Sequence, residues 1–244
     1  MKYLHQIQNS PAGNLAMDEA ILNWCEDGNA PGGILRFWES SVHFVVLGFS
    51  NKATTETNQS ACKADGIPVL RRISGGGTVL QGPGCLNYQL VLPIDSRPQL
   101  QSVTTTNKFI METLAGSLAN TFNTPIEVCG YTDLVWNSRK FSGNAQRRKR
   151  HFLAFHGTIL HQFDLNLITR YLAFPSLVPD YRGTRDHLEF VGNLSGKPDR
   201  IIRAISDTWQ AHEPISNSDL VEIQHLATDL ETSKYSSPDW NDRV

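Results

Sequence analysis

Two arginines and a serine lead into three consecutive glycines in the stretch Arg71, Arg72, Ile73, Ser74, Gly75, Gly76, Gly77, Thr78. Glycine loses the most backbone entropy on folding and packs no side chain, so a run of three between strand-like segments is costly. Such a run suits a place where bare main-chain amides must come close to a ligand. Exposed N–H groups beside guanidinium groups suit a phosphate or a carboxylate. Taken alone, the stretch also fits a hairpin with a flexible turn. A second glycine turn, Gly82-Pro83-Gly84, and then Asn87 follow it. Lys140 is the next residue with chemical potential. It stands between a turn and Ser142-Gly143-Asn144, where an ammonium can hold a phosphate or polarise a carbonyl as a point charge. A solvated strand-end lysine is the plain alternative. Small residues at Gly143 and Ala145 leave room for a ligand, and His156-Gly157 comes back after one hairpin return.

These groups need strands to hold them. Ile67–Leu70 and Gln89–Leu92 flank the glycine stretch, and Ile34–Trp38 and His43–Phe49 read as two earlier strands. Phe152–Phe163 is a strong strand, with Leu153, Phe155 and Ile159 on one face and Ala154, His156 and Thr158 on the other. Short strands are expected at Ile126–Val128 and Thr132–Trp136, with a turn at Asn137-Ser138. The basic run Arg147–Arg150 reads as a solvated hairpin tip. Helical periodicity appears from Asn14, a candidate cap, to Cys25; over Asn107–Phe122; over Asp199–His212; and after Ser218. Short helices are expected within Asn51–Lys63 and over Leu165–Leu172. Ala173–Arg185 is a proline-punctuated loop. Strands and helices alternate without regular βαβ spacing, which predicts an α+β fold rather than a doubly wound one.

Composition narrows the class. The chain has 244 residues, 40% hydrophobic and 19% charged, with a formal net charge of −2. That is enough for a full core and gives no global field toward nucleic acid or acidic lipid. No apolar run approaches a membrane span, and the start shows no signal core, so a cytoplasmic protein is expected. Four widely spaced cysteines, Cys25, Cys62, Cys85 and Cys129, are expected as reduced thiols.

The pieces RRISGGGT, TDLVW, SRKFSGNAQ and FHGTIL occur in the order and at roughly the separations of lipoate–protein ligases, in the biotin/lipoate ligase and octanoyltransferase superfamily. NLAMDEAIL and VVLGFSN resemble that family too, so the resemblance runs from about Asn14 to Leu194. It implies a class II biotin/lipoate ligase-like domain over residues 1–198, with a mixed, largely antiparallel sheet flanked by helices. Residues 199–244 would be a short helical extension, too small for the accessory domain of larger ligases, so a separate accessory chain is one expectation. The implied activity uses ATP, with Mg2+, to turn lipoate or octanoate into an acyl-adenylate, then passes the acyl group to a lysine. The implied acceptors are lipoyl domains of 2-oxoacid dehydrogenase E2 subunits or the glycine-cleavage carrier protein.

The resemblance also implies residue roles. Lys140 would contact the acyl carbonyl and the phosphate, and Asp133 would lie near the nucleotide and the incoming lysine. The pocket would be lined by Arg71, Arg72, Ser74, Gly75, Gly76, Gly77, Thr78, Gly84, Asn87, Ser142, Gly143, Ala145, His156, Gly157 and Thr158. Magnesium would be held mainly by phosphates, with Asp133 as the candidate protein ligand. Gln81-Gly82-Pro83-Gly84 departs from the ligase pattern toward that of octanoyltransferases, and Thr132 replaces a common asparagine. Those transferases carry a nucleophilic cysteine where Ser176 falls here, and a serine without a neighbouring base is a poor nucleophile. Cys85, in the glycine loop, is the other nucleophile candidate. An ATP-independent octanoyl or lipoyl transferase, or a lipoate-binding protein without adenylation, stay as alternatives.

Overall fold

The computed structural model describes residues 1–244. Its strands are β1 Lys2–His5, β2 Ile34–Trp38, β3 Phe44–Leu47, β4 Val69–Arg71, β5 Val79–Gln81, β6 Cys85–Pro93, β7 Glu127–Cys129, β8 Asp133–Trp136, β9 Arg139–Arg148, β10 Phe152–Leu160 and β11 Glu213–Pro214. The two nine-residue runs β6 and β10 are rich in aliphatic and aromatic residues. They pair antiparallel at the centre of an eight-stranded sheet ordered β11-β1-β2-β6-β10-β9-β8-β7. Every pair from β2 to β7 is antiparallel, and only β1 adds parallel neighbours at one edge. A second sheet, β4-β3-β5, packs beside it. The fold is therefore α+β, with a mostly antiparallel sheet flanked by helices.

Side-chain alternation gives the large sheet two apolar faces. Leu35, Tyr88, Leu90, Phe155 and Ile159 pack under helices Val103–Phe122 and Pro198–Thr208. On the other face, Ile34, Val91 and Ala154 meet helix Pro11–Glu26, which is itself backed by helix Asn217–Leu230. The Pro11–Glu26 helix covers only part of that face. Toward β9 and β10 its place is taken by the loops of the small sheet, and this is where the candidate site lies.

Local expectations hold with shifts at the ends. The first helix is capped by Ser10 through Gly13 N, with Pro11 at its first turn. Asn14 is inside it, its Oδ1 accepting from Arg36 and from Gln8 N. Asp18 pairs with the buried Arg36, and Glu19 accepts from Lys234 and Tyr235. The last long helix is capped by Ser216 rather than Ser218. Asn137 and Ser138 make the expected turn with φ of 49° and 62°. The hairpin tip is shorter than the basic run. Arg147 and Arg148 end β9, with Arg148 donating to Leu100 O at 2.7 Å. Of that run only Lys149 and Arg150 lie exposed beyond the strand, where Glu26 accepts from the amides of Arg150, His151 and Phe152.

Candidate active site

Strands β4 and β5 both pair with β3, one parallel and one antiparallel, so the segment between them must cross the end of β3. That segment, Ile73–Thr78, is the triple-glycine loop. It is not a hairpin turn. Phe49 N donates to Ser74 O at 2.9 Å. Gly48 has no room for a side chain, because a Cβ there would overlap Gly76 O. Gly76 itself has φ of 89°, a left-handed backbone that favours glycine.

Arg72 organises the loop from beneath. Its guanidinium donates to Gly75 O at 2.6 Å and Gly77 O at 2.8 Å, and its Nε to Ser74 Oγ at 3.1 Å. With the carbonyls turned inward, the amides of Ser74 through Thr78 donate to nothing within the chain. A row of free N–H groups in a curved loop is an anion-binding concavity. Burial pulls Arg72 down to about 10, so it remains charged at neutral pH. Ser74 Oγ also shares a hydrogen bond with His156 Nε2 at 2.6 Å. Burial, and secondarily Arg72, push His156 down to about 3, so its imidazole is neutral.

Facing this loop is the strand that carries Lys140. Residues 140 and 143 would fall on opposite faces of a regular strand. A register irregularity pairs Leu134 with Ser142 but Val135 with Lys140, so β9 has one extra residue and Lys140 moves to the face of Gly143. The ammonium lies 2.8 Å from Asp133 Oδ1. Lys140 folds back over Gly143, its Cε and Nζ each 3.0 Å from where a Cβ would sit. Ala145 is one pleat farther along the same face, ~7 Å by strand geometry. There the position of a Gly76 Cβ is 3.6 Å from Ala145 Cβ. The ammonium and the amide row thus border one cleft, floored by Gly143, Ala145, His156 and Thr158.

With this geometry in place, the match to known families is specific. Residues 10–204 match the model of the lipoyl protein ligase A/B catalytic domain. The chain belongs to that family. Octanoyltransferase LipM of Brevibacillus brevis is 26% identical across 98% of this chain and 98% of its own length. Lipoate-protein ligase A subunit 1 of Thermoplasma acidophilum is 27% identical across 93% of this chain and 90% of its own length. The solved structure of a bi-partite lipoate protein ligase from Thermoplasma acidophilum shares the fold. Its TM-score is 0.80 at 24% identity, covering 99% of this chain and 95% of that one.

The cleft does not gather every residue expected in it. Arg71 is wholly buried and spends its guanidinium on the carbonyls of Gly48, Phe49, Asn51 and Asn241. Arg72 acts behind the loop rather than in the cleft. Ser142 and Gly157 point to the opposite face by strand alternation. Asn144 packs over Gly157 there and accepts from Tyr88 Oη, and Gln146 reaches the long helix. Gly84 is wedged against the backbone of Gln162 and Phe163, and its amide donates to Glu39 at 2.7 Å. Glu39 also binds His161 Nε2 at 2.8 Å, so the Gly82-Pro83-Gly84 turn is clamped as a structural corner. Asn87 is on the cleft face and donates to Gln81 Oε1 at 2.9 Å. Thr78 Oγ1 is buried beside the loop without a partner.

Neither nucleophile candidate is armed. Cys85 is fully buried and burial pushes its thiol far up, away from the reactive thiolate. Ser176 does have a neighbour that accepts its proton, since its Oγ donates to the Glu56 carboxylate, but a carboxylate is too weak a base to activate a hydroxyl alone. Sequence reasoning missed one residue of the cleft, Tyr181, whose hydroxyl donates to Asp133 Oδ2 at 2.7 Å. Its partner is far away in sequence, and a tyrosine in a proline-punctuated loop carries no local signal of it.

Proposed function

We propose that this chain is the catalytic chain of an ATP-dependent lipoate–protein ligase. The observation that carries the proposal is the row of unpaired amides from Ser74 to Thr78 across one cleft from the Lys140 ammonium. In this mechanism the lipoate carboxylate attacks the α-phosphorus of ATP. A carbon–oxygen–phosphorus link forms and pyrophosphate leaves. Lys140 meets the charge that grows on the carbonyl and α-phosphate oxygens, and the amide row holds the anion from the other side. The neutral His156 and the small Gly143 and Ala145 leave the floor uncharged for an apolar acyl chain. The acceptor lysine then attacks the acyl carbon, the amide forms, and AMP departs with the bonding electrons. The magnesium of Mg-ATP would be held mainly by the phosphates, with Asp133 as the candidate protein ligand, and no step is assigned to it.

A further point supports the ligase reading. The relative from Thermoplasma acidophilum is a ligase subunit, and its archaeal system includes an E2 lipoyl domain, the class of acceptor proposed here. The second reading is an octanoyltransferase, favoured by the likeness to LipM and by the Gly-Pro-Gly turn. It requires a thiol in the cleft. Cys25, Cys62 and Cys85 are buried, and the half-buried Cys129 pairs with Asp133 on the cleft side of the sheet, where partial burial and then the Glu127 and Asp133 carboxylates push its thiol up, away from the thiolate. The deciding experiment gives the purified chain lipoate and Mg-ATP, then a lipoyl domain. Pyrophosphate release and a lipoylated domain by intact mass are expected. Transfer from an octanoylated carrier without ATP would overturn the ligase in favour of the transferase.

A further inference from the structure

Asp133 is gripped from two sides by two different segments. Its Oδ1 meets Lys140 Nζ at 2.8 Å and its Oδ2 accepts from Tyr181 Oη at 2.7 Å. Tyr181 lies in the single turn Asp180–Arg182, within the loop after helix Asn166–Tyr171. Its position is over-determined. The ring packs on Phe190 with centroids 5.3 Å apart. Its edge comes within 3.3 Å of where a Gly130 Cβ would sit, and Gly130 has φ of 56°. Arg185 donates to Tyr181 O and to Ser138 O, tying the loop to the turn between β8 and β9. So much fixing of one phenol, aimed at the carboxylate beside Lys140, exceeds what packing the loop requires.

We infer that Tyr181 is a positioning residue for the acyl-transfer half of the reaction, holding the Asp133 carboxylate when Lys140 moves onto the acyl phosphate. The inference rests on the ligase reading above. A lysine ammonium is a mobile point charge on a flexible stem, and an acyl phosphate draws it from a neighbouring carboxylate. Asp133 Oδ1 is then open toward the cleft, with Tyr181 as its remaining anchor. The acceptor amine must lose a proton as its nitrogen bonds the acyl carbon and the carbon–oxygen bond to phosphate breaks. Asp133 accepts an N–H of the amine and aims the amine's lone pair at the acyl carbon, the proton goes to solvent water, and AMP leaves with the electron pair.

Tyr181→Phe removes the hydroxyl and keeps the ring on Phe190. Adenylation is read by pyrophosphate release. Transfer is read separately, by single turnover from synthetic lipoyl-adenylate to a lipoyl domain. The expected result is a transfer rate down roughly 10- to 100-fold, as for a lost hydrogen bond to a charged group. The KM for the acceptor is held, and adenylation falls far less. In an Asp133→Asn background the same change should add little, because the two act as a unit. Equal loss in both half-reactions would overturn the inference. So would a near-normal Tyr181→Phe beside a slow Tyr181→Ala, which would make Tyr181 a loop anchor. If the wild-type chain releases no pyrophosphate yet transfers from the synthetic adenylate with the Tyr181 dependence, the ligase reading fails and the inference stands.

Discussion

Two residues in the cleft carry opposite electrostatic instructions. Lys140 is a cation placed over a glycine, with the Asp133 carboxylate as its resting partner. Lys140→Ala should abolish pyrophosphate release while leaving the melting temperature close to wild type, since the side chain is part-exposed and packs no core. Unchanged release would remove Lys140 from its role. His156 is held neutral at about 3 by burial and Arg72. Its folded value lies below its unfolded one of about 6.5, so the unfolded chain binds the extra proton as pH falls. This residue's contribution is fully present above pH ~6.5 and is lost toward pH ~3, with a slope of about 1.4 kcal/mol per pH unit. His156→Gln should flatten that acid slope in denaturant titrations between those limits. It should leave the pH dependence of adenylation above neutrality unchanged. A slope equal in both proteins would show that His156 does not sense acid as a buried neutral group.

At the level of elements, the sequence made much of the scaffold legible. Alternation in Phe152–Ile159 gave the two faces of β10 correctly, because period-two patterning is local. Glycine and proline punctuation located the loops. What local pattern could not show was the extra residue in β9, which turns Lys140 toward Asp133. Nor could it show that Arg71 and Arg72 are spent on carbonyls, because a guanidinium's partners come from tertiary structure. The expected place of Gly157 is also wrong. The resemblance puts it in the pocket lining, yet it points to the other face, where Asn144 fills the space and a Cβ would overlap its Oδ1. Tyr88 Cε1 lies 3.0 Å from the same position. Gly157→Ala should therefore cost roughly 1–3 kcal/mol of stability, as overpacking does, measured by urea unfolding. A neutral result would mean that Asn144 is free to turn away. In that case the Tyr88–Asn144 bond, on the face away from the cleft, does not hold Asn144 in place.

At the scale of the whole molecule, the glycine loop is tied to the far end of the chain. Arg71 N donates to Asn241 Oδ1 at 2.9 Å, and its guanidinium to Asn241 O at 2.8 and 3.1 Å. Trp240 Nε1 returns a bond to Arg71 O at 2.8 Å. Residues 199–244 also supply β11 to the sheet edge and the helix behind Pro11–Glu26. The backbone just before Arg72, and through it the set of the amide row, thus depends on residues from the opposite terminus. Deleting residues 236–244 should leave part of the Arg71 fork without acceptors. A lost buried, charge-assisted bond of this kind costs about 1–3 kcal/mol. The melting temperature should fall, and the KM for ATP should rise more than kcat falls, because the loop that grips the anion loses its backing. Arg71→Met in the full chain removes the same bonds from the other side. The two changes combined should cost clearly less than the sum of each alone, since they break one shared set of contacts. Full additivity would mean that the tail acts elsewhere, and the amide row would then owe its shape to Arg72 alone.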